Sequence, residues 1–190
     1  MTQNKPKILI IYKSSTGFTK KYAGLLAEKL DCRAINFKNI RSVSLSSYDM
    51  LFFGTRAHAG SIDGLKRFRK ILKQTGSRQL FRSLFVTGAV PAAEKDAIQQ
   101  LWQNNLTESE RTYLPHFYLP AGLCYEKMSF TDRIMMKGLF FMMKRKKDKT
   151  AKDLELEKQI AHSFDISSEE YLKPVIECVL GLIWPADKKE

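Results

Sequence analysis

The sequence predicts an α/β fold, a doubly wound five-stranded parallel sheet with helices on both faces and a helical insertion near the fifth strand. Three observations carry this prediction. Short β-branched and aromatic runs alternate with stretches of helical period along the chain, the pattern that βαβ crossovers leave in a sequence. The first run, Lys7 to Tyr12, is apolar enough to be buried on both faces, as central strands of parallel sheets are. It leads directly into Ser14-Ser15-Thr16-Gly17-Phe18-Thr19 and then a helical pattern. Ligands of parallel sheets bind at such strand ends.

The elements follow in order. From about Thr16 to Leu30 the residues Tyr22, Ala23, Leu25, Leu26 and Leu30 recur at helical spacing, with Lys20, Lys21, Glu28 and Lys29 mostly opposite. Cys32 to Phe37 is a short second strand and Tyr48 to Gly54 a third. Asp63 to Gln74 is a helix with Leu65, Phe68, Ile71 and Leu72 inward. Leu80 to Gly88 is the fourth strand, and Pro91 to Asn104 a helix with a favoured proline in its first turn. Phe117 to Ala121 is part of the fifth strand, and Ser167 to Gly181 the closing helix. Between these two, at about 124–165, lies the inserted segment. There Thr131 or Asp132 can cap a helix that is apolar nearly all round and ends in Lys144-Arg145-Lys146-Lys147.

Length and composition agree with a single domain over 1–190, since 190 residues at 44% apolar can bury a substantial core. Three widely spaced cysteines, Cys32, Cys124 and Cys178, without a C-x-x-C pair point to a reducing compartment and not to a disulfide framework or a metal site. The polar start and the lack of a membrane-length apolar run read as cytoplasmic. The formal charge of +12 calls for an anionic partner. Nucleic acid is the least favoured, because no binding motif or interleaved aromatic ladder accompanies the basic residues.

The turn from Ser14 to Thr19 reads as a phosphate cradle. Amides at a helix N-terminus point outward with partial positive charge and bind an anion without a lysine. Gly17 permits a tight turn with the backbone close to the ligand, and Ser14, Ser15, Thr16 and Thr19 add hydroxyl donors. A bare Ser/Thr helix cap is the plainer reading of the same residues. No G-x-G-x-x-G follows the strand and no G-x-x-x-x-G-K-[ST] occurs, which argues against dinucleotide and Walker sites. What stands there, S-x-T-G-x-T, resembles the flavin mononucleotide (FMN) phosphate loop of flavodoxins. By that resemblance the fold is flavodoxin-like, and Gly54-Thr55-Arg56-Ala57-His58-Ala59-Gly60 and Thr87-Gly88-Ala89 are expected to flank the isoalloxazine ring. Neither loop contains the Tyr or Trp that short flavodoxins stack on the flavin.

Flavodoxins are typically acidic, whereas this chain carries 32 basic against 20 acidic residues. Much of the excess lies in Lys66 to Arg82 and in Arg133 to Lys149. If Arg56 and neighbouring cations lie beside the ring, they should stabilise the anionic reduced flavin and raise its potential. The second basic region overlaps Ile134 to Met143, whose apolar run is too short to span a bilayer but suits its interface, with the cations on anionic headgroups. The same helix could instead pack on the sheet or on a second subunit, making a homo-oligomer.

Ala121-Gly122-Leu123-Cys124-Tyr125, followed by Asp132-Arg133-Ile134-Met135-Met136-Lys137, resembles the extra insertion of the bacterial flavodoxin-type protoporphyrinogen oxidases (menaquinone-dependent protoporphyrinogen dehydrogenases). That resemblance implies an enzyme whose flavin takes electrons from a porphyrinogen-like substrate and passes them to a membrane quinone, peripheral at the inner face of the cell membrane. It makes Tyr125, Arg133, Lys137, Phe140, Phe141, Lys144 and Arg145 candidates for substrate or membrane contact. The other reading is a soluble FMN electron-transfer protein that meets a redox partner and has no substrate site of its own. No acid/base or nucleophile constellation emerges, so no side chain is named as catalytic.

Overall fold

The structure is a computed structural model that describes residues 6–74 and 81–183. Leu80 of the expected fourth strand and part of the basic stretch from Lys66 to Arg82 lie outside the described residues.

Five strands, β1 (Ile8–Tyr12), β2 (Arg33–Asn36), β3 (Met50–His58), β5 (Phe81–Gly88) and β6 (His116–Pro120), form a parallel sheet in the order β2-β1-β3-β5-β6. A two-residue strand, β4 (Ser61–Ile62), turns back on β3 with Ala57 opposite Ile62. Because side chains alternate across a strand, β1 contributes to two cores. Leu9 and Ile11 pack with Phe53, Phe68, Val86 and Trp102, while Ile8 and Ile10 pack with Tyr22, Leu26, Phe52, Phe85 and Val179. The helices α1 (Phe18–Leu30) and α7 (Lys173–Ile183) cover the second face, and α2 (Leu65–Gln74) and α3 (Lys95–Asn105) the first. Phe53 of β3 and Phe68 of α2 stack with ring centroids 4.3 Å apart.

Several boundaries differ from the sequence expectation. Pro91 does not open α3: Glu94 N–H bonds back to Pro91 O at 3.1 Å in a separate turn, and the ψ of 63° at Glu94 delays the helix to Lys95. A short helix, α4 (Glu108–Tyr113), was not expected and is closed by a reciprocal cap between Thr107 and Glu110. The closing helix begins only at Lys173, after a 3₁₀ turn over Glu169–Leu172.

The segment after β6 leaves the sheet through β7 (Gly122–Leu123) and returns through β8 (Phe164–Asp165), which pair antiparallel. Between them stand α5 (Phe130–Arg145) and α6 (Ala151–Ile160). Neither Thr131 nor Asp132 caps α5. Ser129 does, its hydroxyl accepting the Asp132 N–H at 3.1 Å, and the Asp132 carboxylate is thereby left to bond elsewhere.

Candidate functional site

The ends of β1, β3 and β5 bring their loops to one cavity of about 470 Å³, within the size range of cofactor sites. Ser15, Thr16, Phe18 and Thr19 line it from the first loop, Arg56 to Gly60 from the second, and Thr87, Gly88 and Ala89 from the third. Ser14, Gly17 and Thr55 do not line it. The Ser14 hydroxyl accepts the Gly17 N–H at 3.2 Å, and the Thr55 hydroxyl donates to Asp63 O at 2.6 Å.

The expected phosphate cradle falls at the start of α1. Gly17 is its N-cap, with φ 103°, a left-handed conformation that favours glycine, and no side chain caps the helix. The first turn contains no acidic residue, and the first helical bond runs from Lys21 N–H to Gly17 O at 2.9 Å. The amides of Phe18, Thr19 and Lys20 therefore precede the helical ladder. Thr19 is used differently from the expectation. Its buried hydroxyl lies 2.8 Å from that of Thr87, which itself donates to Thr55 O at 3.3 Å, so Thr19 serves as donor inside the fold. The cradle hydroxyls left at the cavity are those of exposed Ser15 and half-buried Thr16.

Arg56 and His58 reach the cavity from β3, and α5 answers them with Asp132. Arg56 Nη1 donates to Asp132 Oδ2 at 2.9 Å, and His58 Nε2 lies 3.7 Å from Asp132 Oδ1. Arg56 Nε is 3.6 Å from Asp63, which Lys13 also holds at 2.5 Å. Burial pushes the Asp132 carboxyl up, but the hydrogen bond and charge of Arg56, helped by His58, outweigh it and hold the group below the usual carboxylate range. The Arg56 guanidinium expected beside the ring is thus paired on two sides.

The far wall could not be read from the sequence. Met128, Met135, Met136 and Leu139, with Ile160 of α6, face the cavity. Tyr118 of β6 supports the third loop, its hydroxyl accepting the Val90 N–H at 3.0 Å, and burial pushes that phenol up. The helical spacing of Asp132, Met135, Met136 and Leu139 was the only sequence signal, and it fixes a face without saying what the face meets.

The remaining candidates lie apart. Tyr125, Arg133, Lys137, Phe140 and Phe141 line a second groove of about 590 Å³, on the neighbouring face of α5. Tyr125 Oη donates to Ile160 O at 2.5 Å, and Arg133 Nη2 donates to Tyr125 O at 2.7 Å. Lys144 and Arg145 stand exposed at the end of α5 and line neither cavity.

A sequence model described as Flavodoxin domain matches residues 9–153. The chain belongs to the flavodoxin domain family. No curated protein matches it. Among solved structures it is similar to the Trp repressor binding protein from Bacillus subtilis, at 16% identity and TM-score 0.40, over 60% of this chain and 84% of that one. It is also similar to a flavodoxin from the domain Archaea, at 13% identity and TM-score 0.35, over 82% of this chain and 99% of that one. The family assignment rests on the sequence match, and the strand order of the sheet agrees with it.

Proposed function

We propose that this flavodoxin-domain protein is an FMN-dependent oxidoreductase of the protoporphyrinogen oxidase class, taking electrons from a porphyrinogen-like substrate and passing them to a quinone at the membrane surface. The observation that carries the flavin reading is the convergence of an uncapped helix start, the Ser15 and Thr16 hydroxyls and two small-residue loops on one cavity. Bound FMN supplies the electron and hydride chemistry. Ser15, Thr16 and the leading amides of α1 would hold the phosphate. The segments 56–60 and 87–90 would flank the ring, and Met135, Met136 and Leu139 would exclude water from it.

The finer reading draws on α5. Its groove joins the Arg133 and Lys137 cations to the Phe140 and Phe141 rings, a surface suited to an apolar anion. Phe130, Ile134, Phe141 and Met142 are more than half exposed on the same helix. Lys137, Lys144, Arg145 and Lys147 make no ion pair with the described residues. Such a face suits the interface of an anionic bilayer. No helix among the described residues is long and apolar enough to cross one. A soluble electron carrier needs neither feature.

Two measurements test the proposal. Titrating the purified protein with FMN should quench flavin fluorescence, and Ser15→Ala with Thr16→Ala should weaken binding about tenfold or more, as loss of hydrogen bonds to a charged group does. Failure of the wild type to bind FMN would overturn the flavin reading. Anaerobic protoporphyrinogen and a menaquinone analogue should then give turnover; bound FMN without turnover would leave the electron carrier.

A further inference from the structure

We propose that Asp132 is a positioning residue that sets the redox balance of the flavin site by neutralising Arg56 and holding α5 against the end of β3. The inference rests on the flavin reading above and extends it to a residue outside the three loops.

Asp132 is the only acidic residue in α5, and among the described residues it is the only charged one that is buried. Such a charge is costly unless it is paired. Its two partners, Arg56 and His58, both come from β3, and all three side chains line the cavity formed by the three loops. The inserted segment is closed at its base by the β7–β8 ribbon and packed within itself through α5 and α6. The Arg56–Asp132 ion pair is therefore the charged link between the insertion and the sheet.

The charge count at this wall decides the direction of the effect. Arg56 and Asp132 line the cavity, and Lys13 and Asp63, which do not, complete the ion-pair network, two cations against two carboxylates. With Asp132 neutralised, Lys13 and Arg56 share Asp63 alone, and the wall gains one positive charge. Two-electron reduction gives the flavin a negative charge, and a cavity wall screens such a charge poorly. The carboxylate of Asp132 should thus hold the reduced form back. A residue that only braced α5 would change the affinity for oxidised and reduced flavin together, leaving the potential where it was. An electrostatic residue must separate the two affinities.

The experiment is a redox titration of the FMN-loaded full chain, with Kd for FMN measured in both oxidation states. Asp132→Asn should raise the affinity for reduced relative to oxidised FMN about tenfold, equal to a rise of about 30 mV for a two-electron couple. Arg56→Gln, which leaves the Asp132 charge without that partner, should shift the potential the opposite way. Asp132→Glu should restore the wild-type potential. If Asp132→Asn does not fold, the sign of the Arg56→Gln shift decides. Unchanged potentials, or shifts of the same sign in both variants, would overturn the inference while the flavin reading stands. A wild type that binds no FMN would remove both.

Discussion

One methyl group at Gly54 should destabilise the protein by about 2 kcal/mol. Gly54 lies inside β3, opposite Tyr12 on one side and Phe85 on the other. A Cβ built there would fall 2.0 Å from Phe85 Cζ and 2.5 Å from Cε2. Packed carbons rest about 3.5–4.0 Å apart, so the ring would have to withdraw by about 1.5 Å. Phe85 is 0% exposed and has no solvent side to retreat to. Overpacking of this kind costs about 1–3 kcal/mol, and a contact so close in mid-sheet belongs at the upper end. Loss of the glycine's unfolded-state freedom offsets about 0.4–1 kcal/mol of that. At about 2–4 °C per kcal/mol for a domain of this size, Gly54→Ala should lower Tm by about 4–8 °C, read by circular dichroism. Adding Phe85→Leu should recover part of the loss, so the double variant melts above the additive expectation. The effect should reach the site, because Gly54 O accepts the Lys13 N–H at 2.8 Å and ties the first loop to the second. A Gly54→Ala protein melting within about 2 °C of wild type would refute the packing argument.

Tyr22 gives a pH-dependent prediction. Burial pushes its phenol up from 10.0 to about 12, and its hydroxyl donates to Pro120 O at 2.5 Å and accepts the Ser168 N–H at 3.2 Å. The folded state holds this proton more tightly than the unfolded chain. Its contribution is thus complete below about pH 10 and is lost as pH rises towards 12. Tyr22→Phe should cost about 1–3 kcal/mol in urea unfolding at neutral pH and flatten the decline above pH 10; identical alkaline slopes would count against it. For α5, wild-type protein should sediment with anionic but not zwitterionic vesicles. Lys144→Glu with Arg145→Glu should reduce that binding about tenfold or more, and pelleting indifferent to either change would remove the membrane proposal.

The sheet was legible because its strands are apolar on both faces. Ile8 to Ile11 can be satisfied only between two layers, and the turn from Ser14 to Thr19 then falls at a strand end whatever the details of the helices. The three loops were readable for the same reason, since parallel order alone brings the ends of β1, β3 and β5 together. Helix starts were less legible. Pro91 suits both a first helical turn and a separate turn, and the dihedral at Glu94 that separates them has no mark in the sequence. At Asp132 the local chemistry misled in a more consequential way. An aspartate near a helix start is a good cap, but Ser129 three residues earlier takes that role, and Asp132 is drawn instead to an arginine 76 residues away. Long-range pairing of that kind has no local signature.

The same distinction changes what the net charge of +12 means. Composition suggests a field that surrounds a flavin with cations, yet the structure spends carboxylates selectively. Arg56 at the cavity meets Asp132 and Asp63, Lys13 shares Asp63, and α6 brings Asp153 to Lys146 and Glu157 to Lys149. Among the cations of the insertion left without such partners in the described residues are Lys137, Lys144, Arg145 and Lys147, on the helix that exposes Phe141 and Met142 or just after it. The cation at the cavity is thus paired, while these cations at and just beyond α5 are not. Exposed charges act on one another only over the roughly 8 Å that physiological salt leaves unscreened. If the flavin and membrane proposals hold, substitutions at Arg56 or Asp132 should change the flavin potential without the membrane binding, and substitutions at Lys144 or Arg145 the membrane binding without the potential.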